Sequence, residues 1–300
     1  MTIHSIQKVY SPMDSFIDKV AVITGGASGI GLALAHGAIL RGAKVVIADI
    51  RDEPLALAVA ELTQAGGDVL AVKTDVSKFE EVEALAQAAT DRFGKVNLIF
   101  NNAGVFASGL TWETSVEEYD WVIGVNLKSV INGIKAFVPR MIAQGDDCHV
   151  INTSSGAGIT VNPGFSSYSM TKHGVVALSE ALYLDLGVEQ IGTIGVTIVM
   201  PGVVQSQIMF PEKTGLGTLQ TELQGRLKNP TLNALEQFMR RAVDHGLPAK
   251  DLSDMVFEAI AKRDLYVLPN FTDAASQAQA QAIAMGRCTA TNPYNPKKIG

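Results

Sequence analysis

Cysteine is scarce: Cys148 and Cys288 are the two thiols in 300 residues, and neither falls in a C-x-x-C or Cys/His ligand spacing. That removes the basis for a disulfide scaffold or a zinc site, and no metal is expected. The compartment expected from so few thiols is reducing and cytoplasmic. Runs of Lys or Arg are also missing, and the net charge is −6. The basic footprint that nucleic acid selects is therefore absent, and nucleic acid is not an expected partner. Residues Met1–Asp18 lack the charged start and apolar stretch of an export signal, and no later run approaches the length of a membrane span. No internal repeat is present. The expectation is a protein neither exported nor bound to a membrane.

What is there is a long apolar alternation. Hydrophobic residues make up 47% of the chain, enough for one large α/β domain. Short β-branched runs alternate with segments of helical period, the mark of repeated βα units around a parallel sheet. Strands are predicted at Val20–Thr24, Lys44–Ala48, Val69–Lys73, Leu98–Phe100, His149–Asn152, Gly195–Met200 and Leu265–Leu268. Helices are predicted near Gly29–Arg41, Glu53–Ala65, Lys78–Arg92, Val116–Ala143, Ser169–Gln190 and Asn233–His245. Seven parallel strands with helices on both faces make a doubly wound sheet, which binds ligands outside the carboxyl ends of its strands. The sheet domain is placed at residues 19–270, between a tail or arm at Met1–Asp18 and an Ala/Gln-rich, then Asn/Pro-rich tail at Phe271–Gly300. Within it, Gln205–Leu247 interrupts the last βα unit and reads as a lid.

The first strand runs into Thr24-Gly25-Gly26-Ala27-Ser28-Gly29-Ile30-Gly31, and a helical pattern follows at once. Glycines here permit a tight turn and let backbone N–H groups approach a pyrophosphate at the positive end of a helix. Alone, such a turn is weak evidence. The second strand ends in Asp49, where a carboxylate accepts hydrogen bonds from an adenosine ribose and repels a 2′-phosphate, so NAD is expected over NADP. Arg51 could offset part of that repulsion, but the expectation for it is a solvated surface side chain. Asp75 and Val76, in Thr74-Asp75-Val76-Ser77, stand at a third strand end. Asp75 either meets the adenine edge or caps the next helix, for which Ser77 is the better-placed cap. Asn102-Ala103-Gly104 puts small residues where a cofactor passes close to the backbone, or is merely a turn.

Tyr168 and Lys172 are four apart on a helical segment, so they share one face. A nearby ammonium favours the phenolate and is expected to lower the tyrosine pKa, letting Tyr168 exchange a proton with an alcohol or carbonyl. Such a pair is also a common accident on an amphipathic helix. Ser155, just past a strand end, can hold a substrate oxygen or be an ordinary turn serine. His173 points away from the Tyr168 face and suits packing or an interface; His36, His149 and His245 have no ligand-spaced partners.

Thr24-Gly25-x-x-x-Gly29-x-Gly31, Asn101-Asn102-Ala103-Gly104, Asn126, Ser155, Tyr168-x-x-x-Lys172 and Pro201-Gly202 stand in the order and spacing of the short-chain dehydrogenase/reductase superfamily, which the chain resembles over roughly Asp18–Met209. The resemblance implies a Rossmann fold and a catalytic tetrad. Asn126 would anchor a water leading to Lys172, Lys172 would also bind the nicotinamide ribose, Ser155 would orient the substrate oxygen, and Tyr168 would act as acid/base. Val204 and Ser206 match positions that touch the nicotinamide carboxamide, with serine in place of the commoner threonine. A narrower resemblance joins Tyr119–Leu127, Val130–Gly133 and Phe137–Ile142 to the bacterial Cα-dehydrogenases that oxidise benzylic alcohols of lignin-derived aryl ethers.

The implied reaction is hydride transfer between NAD and a secondary alcohol or ketone, run as alcohol oxidation. An NADPH-dependent carbonyl reductase is the alternative within the class, and a dinucleotide-sensing regulator the alternative outside it. The segment Val175–Leu186 carries more apolar positions than one buried stripe needs, and the resemblance points to dimers or tetramers joined there. Met209, Phe210, Leu216, Leu219, Leu223, Phe238 and Met239 either pack on the domain or close over an apolar substrate, with glycines in 211–217 as a flexible entrance. A bulky or aryl alcohol is the expected substrate.

Overall fold

Strand β1 (Val20–Thr24) shows how the sheet is made. Ala21 and Ile23 pack into one hydrophobic cluster while Val20 and Val22 pack into another, so both faces are buried and the run reads as continuously apolar. In the computed structural model, which describes residues 12–13, 15–209 and 229–269, β1 is followed by α1 (Gly29–Leu40), β2 (Lys44–Asp49), α2 (Asp52–Gln64), β3 (Val69–Lys73), α3 (Phe79–Phe93) and β4 (Leu98–Asn101). Then come α4 (Val116–Ile123), a π-helical turn (Gly124–Lys128), α5 (Ser129–Gln144), β5 (Cys148–Thr153), α6 (Ser166–Val188), β6 (Ile194–Val199), α7 (Pro230–Asp244), α8 (Ala249–Lys262) and β7 (Tyr266–Val267).

The strands lie in the order β3-β2-β1-β4-β5-β6-β7, with every pairing parallel. Chain order reverses between β1 and β4, which opens the crevice where doubly wound sheets bind ligands. One side of the sheet is covered by α1, α2 and α8 through Leu34, Leu62 and Phe257, and the other by α3, α5 and α6 through Leu85, Phe137 and Tyr183. The result is the doubly wound seven-stranded sheet expected from the alternation.

Two elements differ from the sequence reading. The helix expected over Val116–Ala143 is broken at Gly124–Lys128, where the turn widens; Ser129 Oγ donates to the Val125 carbonyl at 2.5 Å inside it. Helix α8 was not anticipated, although Leu252, Val256, Phe257 and Ile260 line its buried face at helical spacing. Where the N-terminal arm nears β1 it packs on α8: Met13 donates its N–H to the Ala261 carbonyl at 3.0 Å, and Phe16 meets Phe257 edge-on at 5.2 Å. The rest of that arm through residue 11, Phe210, Leu216, Leu219, Leu223, the 211–217 entrance, Cys288 and the Phe271–Gly300 tail lie outside the described residues. Among the described residues, no helix is long and apolar enough to cross a membrane.

Candidate active site

A cleft of 1190 Å³ opens at the crevice between β1 and β4, running from Asp49 at one end to α7 at the other. Gly29 has φ +53°, a conformation that side chains resist, and a Cβ there would stand 3.3 Å from Ser206. At Gly31 a Cβ would collide with the Gly25 carbonyl. Ser28 ends the turn without capping α1 by its side chain, which leaves the helix N-terminus open toward the cleft. Thr24 and Asn102 fix the neighbouring turn: Asn102 Nδ2 donates to the Thr24 carbonyl at 3.0 Å, and Thr24 Oγ1 accepts from the N–H groups of Asn102 and Ala103. A tight, side-chain-free cradle at an open helix N-terminus fits the pyrophosphate of a dinucleotide. Gly25, Ile30, Val76, Gly104, Pro201, Gly202 and Val204 also line this cleft.

The Asp49 end is ion-paired. Arg51 is not the solvated side chain expected; its Nε donates to Asp49 Oδ1 at 3.0 Å, and its Nη2 donates to Asp49 Oδ2 at 3.1 Å and to Ser28 Oγ at 3.0 Å. The carboxylate and the serine hydroxyl together give the guanidinium a planar partner that water would otherwise supply. Asp75 lines the cleft and accepts from both the N–H and the hydroxyl of Ser77, at 3.1 and 2.6 Å. These bonds hold its carboxyl below the ordinary aspartate range against the opposing effect of burial. Ser77 therefore does not cap α3, whose N-cap position is Lys78 with no side-chain bond. Instead, Glu81 reaches back to accept from the Asp75 N–H at 2.7 Å.

At the other end, α6 brings Tyr168 and Lys172 beside Ser155 on the loop after β5. Lys172 Nζ donates to the Thr153 carbonyl at 2.9 Å and lies 5.6 Å from the centre of the Tyr168 ring. Burial pushes the Lys172 ammonium down to about 8. Burial also raises the Tyr168 phenol, with a hydrogen bond to Ser155 pulling the other way. The lowered tyrosine expected from a neighbouring ammonium is thus reversed, because an apolar wall desolvates both groups. Ser155 Oγ accepts from the Ala157 N–H at 3.1 Å, which holds its hydroxyl at the cleft wall.

Asn126 sits behind that wall, fully buried in the π-helical turn. Its side chain grips the Val105 peptide from both sides, Oδ1 accepting the N–H at 2.8 Å and Nδ2 donating to the carbonyl at 2.9 Å. Gly104 separates it from Lys172: a Cβ there would lie 3.4 Å from Asn126 Oδ1 and 3.5 Å from Lys172 Nζ. Three histidines serve structure. His173 Nδ1 lies 2.8 Å from the Ser169 carbonyl, His36 pairs with Glu61, and buried His149, pushed down to about 3, bonds Thr197.

Sequence reasoning missed the apolar wall. Phe106 stacks edge-on against Phe165 at 4.8 Å and against Tyr168 at 5.2 Å, and Met209, Leu235, Met239 and Val243 join the same cluster. Of the apolar lid positions, Met209 and Met239 pack here, whereas Phe238 faces the cleft with 61% of its surface exposed. Phe106 and Phe165 sit two residues after Gly104 and three before Tyr168, but such proximity in sequence does not reveal a shared wall.

Comparison with known proteins places this geometry. The family model for short chain dehydrogenases matches residues 19–215. A C alpha-dehydrogenase from Sphingobium sp. (strain NBRC 103272 / SYK-6) is 34% identical over 262 residues, covering 86% of this chain and 82% of the relative. A CLA biosynthesis dehydrogenase/reductase from Lactiplantibacillus plantarum is 31% identical over 256 residues, covering 85% of this chain and 89% of that one. Among solved structures, a short chain dehydrogenase/reductase from Burkholderia phymatum in complex with NAD superposes with a TM-score of 0.83 at 39% identity, covering 91% of this chain and 97% of that chain.

Proposed function

We propose, from the premise that this chain belongs to the short chain dehydrogenase family of oxidoreductases, that it oxidises a bulky apolar or aryl secondary alcohol to the ketone with NAD. The observation that carries the reading is the convergence of Ser155, Tyr168 and Lys172 on a cleft continuous with the glycine turn. A bound nicotinamide supplies the hydride acceptor. Ser155 holds the substrate oxygen by its hydroxyl, and Tyr168 Oη takes the alcohol proton, leaving the carbinol carbon free to give up hydride. Lys172 lies close enough to favour the phenolate once it is charged, and holds the nicotinamide ribose. Asn126 fixes the Val105 peptide and so the backbone between the two halves of the cleft. Val204 and Ser206 line the cleft, Ser206 beside Gly29, and would meet the carboxamide.

Phe106, Phe165, Leu235 and Met239 support the substrate class, since an apolar wall beside Tyr168 rewards an apolar substituent on the carbinol carbon. The Cα-dehydrogenase relative supports the same choice. The test is a screen of secondary alcohols, from propan-2-ol to benzylic alcohols, with NAD and NADP, following absorbance of the reduced cofactor. Aryl alcohols with NAD should give the highest kcat/KM; a best rate with propan-2-ol or a small hydroxy acid overturns the substrate reading and leaves the acid/base assignment standing.

The protein works as a homodimer or homotetramer in this reading. Helix α6 leaves Met170, Ala177, Ala181 and Val188 exposed along one stripe, and α5 leaves Ile131 and Ile142 exposed. A monomeric mass by light scattering at micromolar concentration refutes it.

A further inference from the structure

We propose that Arg51 determines cofactor specificity: it clamps Asp49 and so limits how strongly the protein rejects a 2′-phosphorylated dinucleotide. This rests on reading Asp49 as the carboxylate that meets the adenosine ribose. The clamp is defined by acceptor counting. A carboxylate offers about four lone-pair directions. Oδ1 accepts from the Arg51 backbone N–H at 3.1 Å and from Nε at 3.0 Å, and Oδ2 accepts from Nη2 at 3.1 Å. About one direction remains for a ribose hydroxyl, where a bare Asp49 would take both hydroxyls of the diol.

Charge leads to the same place. A bidentate guanidinium–carboxylate pair is close to neutral when viewed from a phosphate several ångströms away, so most of the repulsion that Asp49 alone would exert is cancelled. The pair is also held in place. Asp49 is 6% exposed and Arg51 19%, and Nη2 continues to Ser28 Oγ at 3.0 Å, bridging β2 to the glycine turn. An exposed arginine would swing into water and screen little; this one stays at the cleft wall, held against Asp49 and Ser28.

The test measures dissociation constants of NADH and NADPH by calorimetry, with kcat/KM for NAD and NADP alongside, for the native protein, Arg51→Ala, Arg51→Lys and Asp49→Ala. Arg51→Ala should raise the ratio of NADPH to NADH dissociation constants by about tenfold, equal to about 1.4 kcal/mol, because a bare carboxylate then faces the phosphate. Arg51→Lys, which keeps the charge without the planar fork, should raise it by less. It carries the test if Arg51→Ala does not fold. Asp49→Ala should lower the ratio below the native value. A ratio unchanged or lowered in the Arg51 variants, with Asp49→Ala behaving as expected, overturns the clamp alone. A ratio unchanged in Asp49→Ala overturns the ribose assignment and the proposal with it.

Discussion

The two ends of the cleft handle charge in opposite ways. At the Asp49 end the carboxylate is paired with Arg51, and Asp75 is bonded to Ser77, so these groups are fixed by polar partners. At the Tyr168 end, Tyr168 and Lys172 are desolvated behind Phe106 and Phe165, and burial drives both toward their neutral forms, the phenol up and the ammonium down to about 8. Recognition of a charged ligand calls for fixed charge, whereas proton exchange calls for groups whose two protonation states lie close in free energy. Burial brings the two states of Lys172 together near neutral pH but moves those of Tyr168 apart, so the phenol depends on its Ser155 hydrogen bond and on the charge of Lys172 to reach the phenolate.

Removing the phenol from the catalytic end breaks the contrast most. Tyr168→Phe should lower turnover by about a thousandfold or more, while the NADH dissociation constant, read by calorimetry, changes by less than about tenfold. Substantial residual turnover in a clean preparation would take the acid/base role from Tyr168.

Lys172→Met comes next, with an expected loss of about a hundredfold in kcat and a weaker NADH complex. Its effect on stability has the opposite sign. Because folding depresses this ammonium from 10.5 to about 8, the folded protein carries a penalty, on the order of 3 kcal/mol at most, at every pH below 8. That penalty fades as pH rises toward 10.5, since the unfolded chain alone still binds the proton in that window. Thermal melts of the ligand-free proteins should therefore show the methionine variant more stable at pH 7, with the gap closing by pH 10. A gap independent of pH would show that Lys172 is not buried as a charge.

Phe106→Ala sharpens the comparison more gently. It should reduce the kcat/KM preference for aryl over small aliphatic alcohols by about tenfold, the scale of one lost apolar contact. Because it lets water reach Tyr168, whose phenol burial raises, it should also shift the rising, acid-side limb of the oxidation rate to lower pH. Unchanged discrimination would remove Phe106 from the substrate wall.

How much of this could be read from sequence follows from how local each feature is. The strands were legible because burial on both faces leaves long β-branched runs, and their limits agree to within a residue or two. The cradle was legible because Gly25, Gly29 and Gly31 fall in one run of eight residues, the first two at positive φ and the third against the Gly25 carbonyl. The break at Gly124–Lys128 was not, since Asn126 bonds a peptide at Val105, twenty-one positions away. The pairing of Arg51 with Ser28 spans twenty-three positions, and nothing in the string Asp49-Ile50-Arg51 shows which way the guanidinium turns. The direction of the Tyr168 shift depends on Phe106 and Phe165, which local spacing does not connect.

A chain of buried amides crosses the centre of the molecule. Asn101 Nδ2 donates to Asn152 Oδ1 at 2.8 Å, Asn152 Nδ2 to Ser179 Oγ at 2.8 Å, and Ser179 Oγ to the Val175 carbonyl at 2.6 Å, joining β4, β5 and α6. Apolar contacts tolerate slippage along a helix; these bonds do not, since a shift of one residue would strand several buried polar atoms at once. The helix that carries Tyr168 and Lys172 is thereby keyed to the middle of the sheet. Amide hydrogen exchange along 175–183 should accordingly proceed only by global opening, and on heating the loss of activity should follow the same curve as the loss of fold.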